Sequence, residues 1–157
     1  MTFERLDTYY EDALRAYMEI EKKSSCTPTA ADKLAASRMG CNHIGVFLTW
    51  VIRRNLEGDI HRQYAARELE QVRYGELTGV DFFFQCCDGK FWDEDVQPEL
   101  VPFVQEYYCV EAFWKDYVDW VLANGGIPME YISDWNEYLQ FEPVLDAAWA
   151  AYRREQK

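Results

Sequence analysis

The stretch Asn42-His43-Ile44-Gly45-Val46-Phe47-Leu48-Thr49-Trp50-Val51-Ile52 decides the fold. Ile44, Phe47, Leu48, Val51 and Ile52 recur at helical spacing and share one face, while Val46 and Trp50 put apolar bulk on the other side. A helix that is apolar all round must be wrapped by other elements. The stretch therefore predicts a central helix, capped by Asn42 and ending in polar Arg53-Arg54-Asn55 before Gly58.

Working outward, the flanks show one-sided helical patterns. Upstream, Phe3, Leu6, Tyr10, Ala13, Leu14, Tyr17 and Met18 form one stripe, predicting a helix to about Lys23. Thr29 then caps a short helix to Met39, with a loop as the alternative. Downstream, Ile60, Tyr64, Leu69 and Val72 face inward on a helix closed by Gly75. Thr78 and Asp81 resemble a capping pair for a short helix of Val80, Phe83, Phe84 and Cys87 that stops at Asp88-Gly89, although the phenylalanine run also fits a buried strand. The longest periodic segment runs from Leu100 to Leu122 and stops at Asn124-Gly125-Gly126. Asp134 and Glu137 open a short turn, and Pro143 takes the first position of a last helix with Val144, Ala148, Trp149 and Tyr152 inward. These elements predict an all-α architecture, a single domain over residues 1–157 with about seven helices.

The composition supports a folded core. Of 157 residues, 49% are hydrophobic and 17% aromatic, enough apolar surface to fold without metals or disulfides. Cys26, Cys41, Cys86, Cys87 and Cys109 form an odd set without C-x-x-C spacing, as expected of reduced thiols. No apolar run approaches the ~20 residues of a membrane span, and Met1-Thr2-Phe3-Glu4-Arg5 does not open a signal segment. A soluble chain of the bacterial cytoplasm, without membrane contact, is expected.

Charge sets the partner class. The formal charge is −12, and residues 1–79 carry 12 acidic and 11 basic side chains against 16 and 5 in residues 80–157. Phosphate binding needs a surplus of cations, so direct nucleic-acid binding is not expected, and a basic protein is. The acids of the second half alternate with large rings, as in Trp92-Asp93-Glu94-Asp95 and Asp134-Trp135-Asn136-Glu137-Tyr138. Aromatic anchors inside an acidic rim suit an interface centre. The expected partner-binding set is Asp88, Trp92, Asp93, Glu94, Asp95, Glu99, Glu106, Glu130, Tyr131, Asp134, Trp135 and Glu137. The plainer reading of the same pattern is solubility for the acids and core filling for the rings.

Motifs for chemistry are sparse. His43 and His61 lack the i, i+4 relation of a helical zinc pair, and Asp88 to Asp95 lacks the alternating acids and central Gly of a calcium loop. Cys41-Asn42-His43 brings a thiol and a base together in sequence, but such neighbours seldom form a dyad. No Walker loop, Rossmann glycine pattern or Gly-x-Ser-x-Gly elbow occurs. No catalytic residue, cofactor or metal is expected. The alternatives are a helical enzyme or small-molecule binder with a pocket among Trp50, Phe84, Cys87 and Trp114, and a regulatory adaptor.

The segment His43 to Trp50, with Leu77-Thr78-Gly79, Cys87-Asp88-Gly89-Lys90, Tyr107-Tyr108, Trp135 and Pro143-Val144-Leu145-Asp146, resembles a family of small acidic bacterial proteins of unassigned function. Proteins of this type are similar to the immunity partners encoded beside polymorphic toxins, including contact-dependent growth inhibition systems. The resemblance implies an inhibitor that neutralises a basic toxin domain, such as a nuclease, by occlusion rather than chemistry. The shared residues read as caps and stops, or, more sharply, as a polar cluster of His43, Asp88 and Lys90.

Overall fold

In the computed structural model, which describes residues 1–130 and 134–156, the chain opens with a strand and not a helix. Strand β1 (Thr2–Arg5) precedes α1 (Tyr10–Ile20), α2 (Ala30–Gly40), α3 (Asn42–Arg53), α4 (Asp59–Tyr64), α5 (Ala66–Arg73) and α6 (Gly79–Cys86). Strand β2 (Lys90–Trp92) and a 3-10 turn (Asp93–Asp95) lead into α7 (Val101–Phe103), a π-helical turn (Val104–Tyr108), α8 (Ala112–Ala123) and α9 (Trp135–Glu155). The structure is 65% helical, with nine α-helices and one two-stranded sheet among the described residues. The all-α class holds, with that small sheet added.

The predicted central helix is α3. Residues 41 to 52 are all buried, and Trp50 and Phe47 are fully enclosed. Helix α6 lies closest, because Gly45 and Gly79 let the backbones touch. A Cβ on Gly79 would meet the Gly45 carbonyl oxygen at 1.9 Å and Thr49 Oγ1 at 2.4 Å. Cys41 precedes the helix, and Asn42 points into the core, donating from Nδ2 to the Tyr117 hydroxyl at 2.8 Å. A buried acceptor outcompetes the cap expected of Asn42.

Thr29 and Thr78 cap α2 and α6 by accepting from the backbone N–H groups of Asp32 and Asp81, as their sequence signatures indicate. The phenylalanine run is helical. The Ile60 to Val72 segment is two short helices broken at Ala65, so Leu69 and Val72 are buried whereas Ile60 and Tyr64 are exposed. The first residues leave the predicted helix because Glu4 and Arg5 pair antiparallel with Phe91 and Lys90, and the Phe3 ring packs 5.1 Å from Phe91.

The Leu100 to Leu122 segment is interrupted. A π-helical turn, closed by Cys109 N donating to Val104 O at 3.0 Å, buries the successive residues Tyr107 and Tyr108, which a regular helix would separate by ~100°. Tyr107 stacks on Phe103 and Tyr108 on Phe113. Glu111 then takes φ = 70°, and α8 starts afresh. In the tail, Asp134 and Glu137 form a reciprocal capping box, but α9 runs straight through Pro143. Tyr138, Phe141 and Leu145 are buried on one face, while Pro143 sits on the exposed face, where water can meet the carbonyl left without its donor.

Candidate functional site

The predicted partner-binding residues divide on inspection. Asp95 is 4% exposed and joined to His61, so it is not part of any docking surface. Its carboxylate is drawn inward because the His61 ring and the Trp92 backbone N–H both meet it there. Asp93 is held by the N-terminal ammonium at 2.6 Å. Asp134 and Glu137 cap α9, and Trp135 packs beneath the Arg53 guanidinium, 4.9 Å from its carbon. Tyr131 lies outside the described residues. Trp92 and Glu130 are half-buried, while Asp88, Glu94, Glu99 and Glu106 are exposed and, among the described residues, pair with no cation.

Part of the acidity of the second half is answered across the fold. Arg38 pairs with Asp81, Arg53 with Glu142, and Arg54 with both Glu142 and Asp146. Most rings of the second half are core: Phe91, Tyr107, Tyr108, Phe113, Tyr138 and Phe141 are buried, and Trp114, Trp120 and Trp135 are half-buried. Among the described residues, the expected coincidence of exposed rings with exposed acids is thus reduced to the edges of half-buried rings such as Trp92, Trp114 and Trp135.

The polar cluster forms with another partner. His43 Nε2 lies 3.3 Å from Glu4 Oε1, and the Tyr108 hydroxyl donates to Glu4 Oε2. Asp88 instead sits at φ = 51° beyond the end of α6, next to Gly89 at φ = 65°, where a side chain would strike Leu6. Of the alternative pocket, Trp50 is sealed in the core with its indole N–H on Asp146 at 3.0 Å, and Cys87 lies against His61. Trp114 does line a cavity. Cys41 is fully enclosed, and burial, then Glu4, push its thiol up to about 12.

That cavity, about 300 Å³, is lined by Glu4, Tyr9, His43, Tyr108, Glu111 and Trp114 together with Phe3, Cys109 and Phe113. Four local features build it. An extra residue on β1, between the Thr2 and Glu4 pairings, re-aims the strand so that the Glu4 carboxylate meets His43 and Tyr108. The start of α3 supplies His43, whose ring stands edge-on to Tyr9 at 5.2 Å and to Trp114 at 5.1 Å. The π-helical turn supplies Tyr108. The left-handed Glu111 sets its exposed carboxylate at the mouth.

Burial, and then Glu4, push the Tyr108 hydroxyl and the Cys109 thiol above their ordinary ranges. Burial, Glu4 and Glu111 do the same to Tyr9. These groups stay protonated as donors, and the lining offers two carboxylates and no Lys or Arg. A second cleft of about 220 Å³ along Gly45, Gly79 and Trp135 is more apolar, and its charged groups are committed: Arg38 to Asp81, and Asp134 to its cap. The acid-lined cleft is the candidate site, because the Glu111 carboxylate at its mouth forms no ion pair among the described residues. Sequence reading singled out His43 and Trp114 but not Glu4, Tyr9 or Glu111, whose convergence depends on a bulge and a strained turn without a local signature.

Fold and cleft define a helical domain with an acidic, aromatic-walled recess. The chain belongs to the family described as Domain of unknown function (DUF7832), which matches residues 10–141. The match spans His43, Tyr108, Glu111 and Trp114, while Glu4 and Tyr9 precede it. Neither a curated protein nor a solved structure matches the chain. No helix among the described residues is long and apolar enough to cross a membrane.

Proposed function

We propose that this chain is a binding protein that blocks a basic protein domain, in the manner of the immunity partners of polymorphic toxins, and that it acts by occlusion. The observation that carries the reading is the cleft between Glu4 and Glu111, with its aromatic walls and no Lys or Arg in its lining. A Lys or Arg side chain of the partner fits it: the charged head faces the carboxylates and the aliphatic stem lies along Tyr9 and Trp114. Asp88, Glu94, Glu99 and Glu106, exposed and unpaired among the described residues, add a field that speeds encounter with a cationic surface.

The test is titration of the purified chain against the protein encoded beside it, at two salt concentrations. Binding is expected to weaken with salt, and Glu111→Lys to reduce affinity about 10-fold or more, by placing a cation at the mouth. Glu94→Lys with Glu106→Lys should mainly slow association. Salt-independent binding, or binding indifferent to all three changes, sinks the reading.

A second reading rests on the hydrogen-bonded series His43, Glu4 and Tyr108, which suits a small-molecule pocket for an amine. Small polyamines that raise the melting temperature of the wild type, and not of Glu4→Gln, would favour it.

A further inference from the structure

We propose that His61, Cys87 and Asp95 form a three-donor site for a divalent metal ion of the zinc class. The three come from separate elements: His61 from α4, Cys87 from the residue closing α6, and Asp95 from the end of the 3-10 turn. All are buried, and one nitrogen, one sulfur and one carboxylate oxygen lie within 4.8 Å of one another. His61 Nε2 is 2.8 Å from Asp95 Oδ1 and 3.8 Å from Cys87 Sγ, so a single ring nitrogen faces both the carboxylate and the thiol.

The donor set selects the ion. Sulfur and imidazole disfavour calcium and magnesium, whereas a mixed S, N, O set suits zinc. Thiolate and carboxylate together cancel the charge of a divalent ion, which makes its burial tolerable. The carboxylate is already oriented, since Asp95 Oδ2 accepts from Trp92 N at 2.6 Å and the Asp95 carbonyl accepts from Gly58 N at 2.8 Å. The Phe82 ring, edge-on to His61 at 5.0 Å, walls off one side. Burial raises the Cys87 thiol, so the ion has to displace its proton, and uptake releases acid. Three protein donors leave one tetrahedral place for water or a small anion.

The experiment uses the full chain with Cys26, Cys86 and Cys109 replaced by Ser, to remove the more accessible thiols. After chelation and dialysis, one equivalent of cobalt(II) is expected to give a thiolate-to-metal charge-transfer band and the visible spectrum of a four-coordinate ion. Zinc should bleach both and raise the melting temperature. In the same background Cys87→Ser should lose the band, and Asp95→Asn should bind zinc about 100-fold more weakly or worse. Absence of the band in the folded parent overturns the site, as does its persistence in Cys87→Ser. If Cys87→Ser does not fold, unchanged zinc affinity in Asp95→Asn overturns it equally.

Discussion

Arg53 and Glu142 meet across 89 positions of sequence through paired hydrogen bonds, Nε to Oε1 at 2.6 Å and Nη2 to Oε2 at 3.5 Å. The same guanidinium lies over Trp135 and donates to the Arg73 carbonyl at 3.2 Å. One side chain from α3 thus ties α5 and α9 to the central helix.

Arg53→Ala should cost about 2 kcal/mol, because it removes the fork and leaves the largely enclosed Glu142 to Arg54 and the Tyr138 hydroxyl alone. Arg53→Lys should recover less than half of that, since an ammonium cannot serve both carboxylate oxygens and the Arg73 carbonyl. Urea unfolding reads both. A loss under ~0.5 kcal/mol for Arg53→Ala would mean that α9 docks by apolar packing alone.

Gly79→Ala should destabilise by about 3 kcal/mol or more, because the new methyl meets backbone of α3 that has no rotamer to yield. Gly125→Ala is the contrast. There nothing lies within 4 Å, but φ is +75°, so the cost should be about 1 kcal/mol from backbone strain alone. Equal losses for the two would contradict the close approach of α3 and α6.

The acid limb of stability should be steepened by Asp32. The Lys23 ammonium, followed by the backbone and hydroxyl of Thr29, holds its carboxyl down at about 2, below the ~3.9 of an unfolded chain. A depressed carboxyl stabilises fully above the unfolded value, and that stability is lost as pH falls through the folded one. Asp32→Asn should therefore flatten the loss between about pH 4 and 2, and lower stability at pH 7. Unfolding curves across that range would expose an unchanged slope, which contradicts the assignment.

Glu111→Gly should raise stability by about 1 kcal/mol, because glycine takes φ = 70° without the strain a Cβ imposes. The same change removes a carboxylate from the mouth of the cleft, so partner affinity should fall while the melting temperature rises. A variant that gained stability without losing affinity would separate Glu111 from recognition.

How much of this was legible follows from what acts locally. The caps at Thr29, Thr78 and Asp134, the stop at Gly125 and the enclosure of α3 depend on neighbours within four residues or on simple apolar excess, and their signals lie in the sequence. The break at residues 104 to 111 does not. Its periodic apolar pattern favours one helix, and the demand that both Tyr107 and Tyr108 be buried arises from partners at Phe103, Glu4 and Phe113. Helix α9 shows the converse, where tertiary burial of Phe141 and Leu145 overrides a proline. The burial of Asp95 has no local signal, because its histidine partner lies 34 positions away, and the same distance hides the donor trio it joins. Charge counted by halves overstated the exposed field, since the arginines answering Glu142 and Asp146 are supplied by α3 and its end.

The enclosure of α3 also bears on biosynthesis. Most of its walls, α5, α6, α8 and α9, are encoded downstream, so the greasiest dozen residues leave the ribosome while much of their cover is still untranslated. The nascent chain must keep Phe47 and Trp50 from aggregating until α9 emerges and Glu142 and Asp146 reach Arg53 and Arg54. Truncation anywhere ahead of that last helix is expected to leave a chaperone client instead of a smaller domain.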